Sequence, residues 1–265
     1  MKIDSEQQLY SAQLEDGMIP KISAKHSKPV TMQPEIRRND IRYAGFCESG
    51  IRSENEDYSQ IVPNPKKGCY LFVVCDGMGG HAYGKLAAVA VCDAICEYWQ
   101  QASFCDGIEK ILKAAFKKAS KVLDTKAGYQ NHAEMGTTMV LAAIDGNQLT
   151  IAHAGDSRAY LIRPGAGIIY QTRDHVSHGI WGDSIDRCFF SYQQEKADVE
   201  ICQIDLQQGD RIFLCTDGVP TIIVPEIFTR RSMICQPPED VIDMIQFFCE
   251  KFSKDNYTGI LVYYE

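Results

Sequence analysis

Two aspartates in this chain stand where an apolar run meets a glycine. Tyr70-Leu71-Phe72-Val73-Val74-Cys75 leads into Asp76-Gly77, and Arg211-Ile212-Phe213-Leu214-Cys215-Thr216 leads into Asp217-Gly218. Short β-branched and aromatic runs bounded by glycine read as buried strands. Each carboxylate therefore sits at a strand end, on a rigid support. Gly77, Gly79 and Gly80 lack a Cβ, so the backbone after Asp76 can turn sharply or approach a ligand. Either aspartate alone reads as an ordinary Asp-Gly turn. Two built to one design suggest oxygen ligands for a hard cation such as Mg²⁺ or Mn²⁺.

The chain around them has 265 residues, 45% hydrophobic and 23% charged, enough for one large domain with a sizeable core. A net charge of −8 argues against a nucleic-acid partner. It also means that any phosphate chemistry needs local compensation from metal ions or a placed arginine. The eleven cysteines are odd in number, contain no C-x-x-C pair, and include Cys75, Cys92, Cys215 and Cys249 within apolar runs. That pattern fits free thiols in a reducing, cytoplasmic compartment, with export elsewhere left open. His175 and His178 form the only close histidine pair in sequence, with no cysteine pair to complete a zinc set. The N-terminus has no signal-like apolar stretch and no run approaches about 18 apolar residues, so no membrane association is expected.

Residues 1–38 are polar, carry Pro20, Pro29 and Pro34, and read as a tail or arm with one short helix near 5–14. The domain spans 39–265. Strands are expected at 41–46, 58–62 and 70–75. The period becomes helical after Gly84, with Leu86, Ala87, Ala90, Ala94, Ile95 and Tyr98 on one face. A second helix starts from an Asp106 N-cap, and its lysines lie opposite the apolar stripe. Strands at 137–144 and 149–154 flank an Asp145-Gly146-Asn147 turn. Gly155-Asp156-Ser157-Arg158 then turns into 159–163 and 168–172, an antiparallel meander. Residues 173–197 look like an irregular surface lobe. Strands at 199–206 and 211–216, a helix opened by Pro237-Pro238-Glu239-Asp240, and a strand at 257–264 complete the chain.

Seven motifs in one order make the chain resemble the metal-dependent serine/threonine protein phosphatases of the phosphatase 2C type. They are Arg52-Ser53-Glu54-Asn55-Glu56-Asp57, Asp76-Gly77-Met78-Gly79-Gly80-His81, Gly136-Thr137-Thr138, Gly155-Asp156-Ser157-Arg158, Thr172-Arg173-Asp174-His175, Cys215-Thr216-Asp217-Gly218 and Asp255-Asn256. The resemblance implies an α+β fold, a four-layer α/β/β/α sandwich of two stacked antiparallel sheets flanked by helices. It implies two Mn²⁺ or Mg²⁺ ions in a cleft at one end. Asp76 would bridge them, Asp217 and Asp255 would complete one, the Gly77 carbonyl would bind the other, and Glu56 and Asp57 would act directly or through water. A bridging water or hydroxide would hydrolyse phosphoserine or phosphothreonine in a protein substrate, with no phospho-enzyme. Arg52 would clamp the phosphate. The protein would act as a monomeric signalling enzyme.

Three positions depart from the family pattern. Met78 replaces a histidine that some relatives carry, Glu134 stands near the place of a third-metal aspartate, and Thr221 replaces an acidic ligand four residues after Asp217. Pro220 beside it removes a backbone donor. These changes argue against a well-occupied third ion, with Glu134 as its one candidate ligand. His81 has the pKa range of a general acid and equally suits a helix entry. Asp156-Ser157-Arg158, Asp174 and His175 read as buttresses of the cleft. The alternative function is a non-catalytic, phosphatase-fold regulatory binding module, and a phosphorylated small molecule is a further candidate substrate.

Overall fold

A computed structural model describes residues 41–64, 68–78, 83–104, 107–179, 182–193, 197–221, 224, 227–228 and 236–265. The expected arm at 1–38, its short helix, and Gly79, Gly80, His81, Asp106 and Trp181 lie outside the described residues.

The strands are β1 (Ile41–Glu48), β2 (Tyr58–Asn64), β3 (Cys69–Cys75), β4 (Gly77–Met78), β5 (Gly136–Thr137), β6 (Met139–Asp145), β7 (Gln148–Ala154) and β8 (Arg158–Arg163). They continue as β9 (Gly167–Gln171), β10 (Val176–Gly179), β11 (Gly182–Ile185), β12 (Phe189–Phe190), β13 (Glu200–Asp205), β14 (Arg211–Cys215) and β15 (Tyr257–Tyr264). The helices are α1 (Tyr83–Gln101), α2 (Ile108–Tyr129) and α3 (Pro238–Phe252). One five-stranded sheet runs β1-β15-β14-β8-β9 and a second runs β13-β7-β6-β3-β2, every pairing antiparallel.

Alternation along the strands makes the layers. On β3, Phe72 and Val74 face the other sheet, where they meet Leu161, Ile212, Leu214, Ile260 and Val262. Leu71, Val73 and Cys75 face the opposite way, against Val91, Ile95, Trp99 and Leu112 of α1 and α2. On β14, Ile212 and Leu214 enter the space between the sheets, while Phe213 and Cys215 pack with Ile242, Ile245 and Cys249 of α3. Strands buried on both faces read as continuous apolar runs rather than as alternating ones. Three apolar interlayers thus separate four layers, as the resemblance implied. No helix among the described residues is long and apolar enough to cross a membrane.

Four expectations change. The chain does not meander from β7 into β8, because the Gly155-Asp156 turn carries it from one sheet to the other. Residues 173–197 are not simply irregular: β10 pairs with β11, and β12 joins β5 and β4 in a small third sheet. Within that segment Phe189 is buried against Phe116, so an aromatic assigned to a surface lobe belongs to the core. On α1, Val91, Cys92, Cys96 and Trp99 are fully buried while Leu86 and Tyr98 are only partly so. That helix is covered on two sides, by the sheet and by α2, so its buried arc is wider than a single stripe. Gly107, with φ 82°, occupies the N-cap of α2.

Candidate active site

Sheet register alone brings the motif residues to one end of the sandwich. Tyr58 pairs with Cys75, so Asp57 and Asp76 leave the second sheet side by side. Glu48 pairs with Tyr257 and Cys215 with Gly259, so the 49–57 loop, Asp217 and Asp255 leave the first sheet together.

Asp76 is held by its backbone. Its N–H donates to Thr138 Oγ1 at 3.1 Å, and its carbonyl accepts from Thr138 N and Thr137 Oγ1 at 2.9 Å each. Thr138 Oγ1 in turn lies 2.7 Å from Ser157 Oγ. The Gly-Thr-Thr and Gly-Asp-Ser-Arg motifs therefore lock the backbone of the central aspartate and leave its carboxyl group unspent. Two glycines are demanded by close approach. A Cβ on Gly77 would stand 2.3 Å from the Gly84 backbone, and one on Gly84 would stand 2.9 Å from the Glu56 carboxyl group. The Glu56 carboxylate thus lies against the first turn of α1, where helix polarity favours an anion.

The electrostatics are those of unneutralised crowding. Asp57 is wholly buried; Thr216 Oγ1 donates to its Oδ2 at 2.9 Å, and its Oδ1, near Thr258, has no well-formed hydrogen bond among the described residues. Burial, with added repulsion from Asp217 and Asp255, pushes its pKa up to about 6. Asp76 is raised well above the carboxylate range by burial and then by Asp57, Asp217 and Asp156. Asp217, beside Asp76, is raised by burial, with Asp255 adding to it. Asp156 rises to about 6 through burial and Asp217. Asp156, read from the sequence as a buttress, belongs to the acidic cluster. Its place beside a glycine in a tight turn, as for Asp76 and Asp217, was the available signal.

A deeply buried carboxylate oxygen without a well-formed hydrogen bond, crowded acids and an open glycine seam fit an all-oxygen site for a hard divalent cation. Asp57, Asp76, Asp217, Asp255, Glu56 and the Gly77 carbonyl could supply its donors. Arg52 borders this cluster: Nη2 donates to Asp255 Oδ2 at 2.7 Å and Nε to the Lys254 carbonyl at 3.2 Å, with more than half of the side chain exposed. Glu134 is exposed just before β5, and no hydrogen bond or ion pair among the described residues ties it to the cluster. Thr221 accepts from Arg158 Nη1 at 2.8 Å, and Arg158 also forks onto Asp174 at 2.9 and 2.7 Å.

His175 pairs in space with His153, not with His178. Their rings stack at 4.3 Å and 14°, His153 bonds the Arg173 carbonyl at 3.0 Å, and His175 bonds Glu200 at 3.3 Å. These three side chains bring ligand atoms within 4.8 Å of one another. Nearly parallel rings, however, hold their in-plane lone pairs side by side rather than converging on one ion. The group fastens the turn at Gly155 to β10.

The protein phosphatase 2C family model matches residues 52–259. The chain belongs to that family. Among curated relatives it is 26% identical to the serine/threonine protein phosphatase PstP of Mycobacterium tuberculosis over 239 residues, 83% of this chain and 44% of that one. The chain therefore spans about half the length of that relative. It is 27% identical to the serine/threonine phosphatase stp of Listeria monocytogenes (80% of this chain, 91% of that one). A putative protein phosphatase of Mycoplasma pneumoniae is 31% identical (84% and 96%). Among solved structures, the S. agalactiae serine/threonine phosphatase superposes with a TM-score of 0.73 at 22% identity, covering 85% of this chain and all of that one. The PstP catalytic domain in complex with two manganese ions gives 0.66 at 23% identity, covering 84% and 97%. These likenesses establish the fold of stacked antiparallel sheets.

Proposed function

We propose that residues 39–265 form a catalytic domain that hydrolyses phosphoserine and phosphothreonine in proteins, using two Mn²⁺ or Mg²⁺ ions. The observation that carries this reading is the convergence of Asp57, Asp76, Asp156, Asp217 and Asp255 at one end of the sandwich, with the first four carboxyl groups raised by burial and by their acidic neighbours. Such a cluster costs stability unless cations answer it, and the family relationship supplies the reason for keeping it. Asp76 would contact both ions, Asp217 and Asp255 one, the Gly77 carbonyl the other, with Glu56 and Asp57 completing the set. A pair of such ions, when bound, would activate water and draw charge from the departing oxygen.

The chain's own groups do the rest. Arg52, exposed and fixed at the rim by Lys254 and Asp255, offers a planar fork that matches two phosphate oxygens. The Thr137 and Thr138 bonds keep Asp76 from following the substrate, so the ligand geometry stays fixed while charge moves. Thr221, engaged by Arg158, is a poor ligand for a third ion, and Glu134 would have to hold that ion largely alone. The protein would act as a monomer on phosphoproteins. Retention of Asp57, Asp76, Asp217 and Asp255 favours catalysis over a regulatory binding module.

The deciding experiment is hydrolysis of an aryl phosphate and a phosphothreonine peptide with Mn²⁺, with Mg²⁺ and with chelator. Metal-dependent turnover of both substrates is expected, falling at least about a hundredfold in Asp217→Ala. A folded protein inert under every metal would overturn the reading in favour of the binding module.

A further inference from the structure

Asn256 spends its whole side chain on a loop it does not belong to. Its Nδ2 donates to the Ser49 carbonyl at 2.9 Å and to the Glu54 carbonyl at 2.8 Å, and its Oδ1 accepts from Glu56 N–H at 2.9 Å. Both donors and the acceptor are used in a side chain only 7% exposed. No other residue type of that size presents two donors and an acceptor together: aspartate has no donor, and serine has one. Its own N–H donates to Asp255 Oδ1 at 2.8 Å, which aims the carboxylate. The loop is pressed close here, since a Cβ on Gly50 (φ 59°) would stand 2.4 Å from the Asp255 carbonyl. The Ser49 carbonyl that Asn256 grips also closes the turn to Arg52 N–H at 3.2 Å.

We propose that Asn256 is a positioning residue for the phosphatase reaction: it clips the 49–57 loop to the start of β15 and so sets Arg52, Glu56 and Asp57 against Asp255. The inference rests on the function proposed above and adds the element that couples the phosphate clamp to the metal ligands. Without the clip, the loop keeps other ties, among them the Asn55 Oδ1 bond to Asp57 N–H at 3.0 Å, the Arg52 bonds to Asp255 and Lys254, and the Thr216 bond to Asp57. Asn256 adds a grip at Ser49, Glu54 and Glu56, where it holds the loop backbone itself.

The test uses the full chain with Asn256→Ala and the isosteric Asn256→Asp, which keeps the acceptor for Glu56 N–H and loses both donors. Hydrogen exchange without metal should accelerate in the peptide spanning 49–57 and stay unchanged across β6 and β14. Calorimetric Mn²⁺ affinity should fall about tenfold or more, the usual effect of losing an outer partner of a metal ligand. With p-nitrophenyl phosphate at saturating Mn²⁺, KM should rise more than kcat falls. Wild-type exchange at 49–57, or wild-type Mn²⁺ affinity and KM in folded variants with a lowered Tm, would make Asn256 merely structural and overturn the proposal. Should Asn256→Ala fail to fold, Asn256→Asp is read by the same three measurements. A wild-type protein without metal-dependent turnover would retire the phosphatase reading, while the exchange experiment would still decide whether Asn256 holds the loop.

Discussion

Asp57 and Asp210 are both sealed from solvent, and they lie toward opposite ends of β14. Asp210 is met at every turn: Arg163 donates Nε and Nη2 to its two oxygens at 2.8 Å each, and Gln207 N–H adds a third bond at 2.8 Å. Asp57 receives one threonine hydroxyl and keeps an oxygen without a well-formed hydrogen bond among the described residues. The two ends treat the same chemical group in opposite ways. At one, a buried carboxylate is neutralised within the chain and serves the fold. At the other, carboxylates are gathered and, apart from Asp255 with its Arg52 partner, left for something else to neutralise.

Removing a carboxylate from each end should sharpen the contrast. Asp210→Ala leaves Arg163 and the Gln207 N–H without their partner, and should cost about 3–5 kcal/mol by denaturant unfolding. A loss below about 1 kcal/mol would break the claim that this end is structural. Asp76→Asn should do the reverse. In chelator it replaces a carboxyl group crowded by burial and by three neighbouring acids with a neutral isostere, so stability should hold or rise by about 1–2 kcal/mol, while turnover with Mn²⁺ should be lost. A drop in Tm comparable to that of Asp210→Ala would show that the cluster stores no repulsion.

The smallest effect is expected at the histidine stack. Burial lowers the His153 pKa, His175 adds repulsion, and Glu200 and Asp174 oppose both. A histidine held neutral in the fold protonates more readily when unfolded, so its contribution is intact above the ordinary pKa and is lost as pH falls below it. As pH falls from 7 to 5 wild type should lose stability through this group, and His153→Asn should show a shallower slope. Equal slopes would place the pH sensitivity elsewhere.

These contrasts were legible in unequal measure. The strand at 257–264 was readable to the residue, since seven aromatic, β-branched or leucine positions, broken only by Gly259, follow Asn256. The strand-Asp-Gly design at Asp76 and Asp217 was equally plain, because local backbone and chemistry coincide there. That Asp156 lies close enough to Asp217 to share its acidic field could not be read, because it depends on which sheet the following strand joins, and a turn carries no mark of that. The His153–His175 stack and the Asp210–Arg163 pair, 22 and 47 residues apart, follow from register and packing. The two-residue strands β4, β5 and β12 are too short for any period and exist only through one another.

The first and last strands are hydrogen-bonded neighbours along their full length, Ile41 facing Tyr264 and Glu48 facing Tyr257. Asp255 and Asn256 therefore reach the loop they complete only after the rest of the domain has been made. Domains built on such distant pairings form slowly and late. A nascent copy would carry Asp57 and Asp76 yet lack the opposite wall of its cleft, so the metal site proposed above would stay incomplete until β15 is made. Activity begins, on this account, with the insertion of β15.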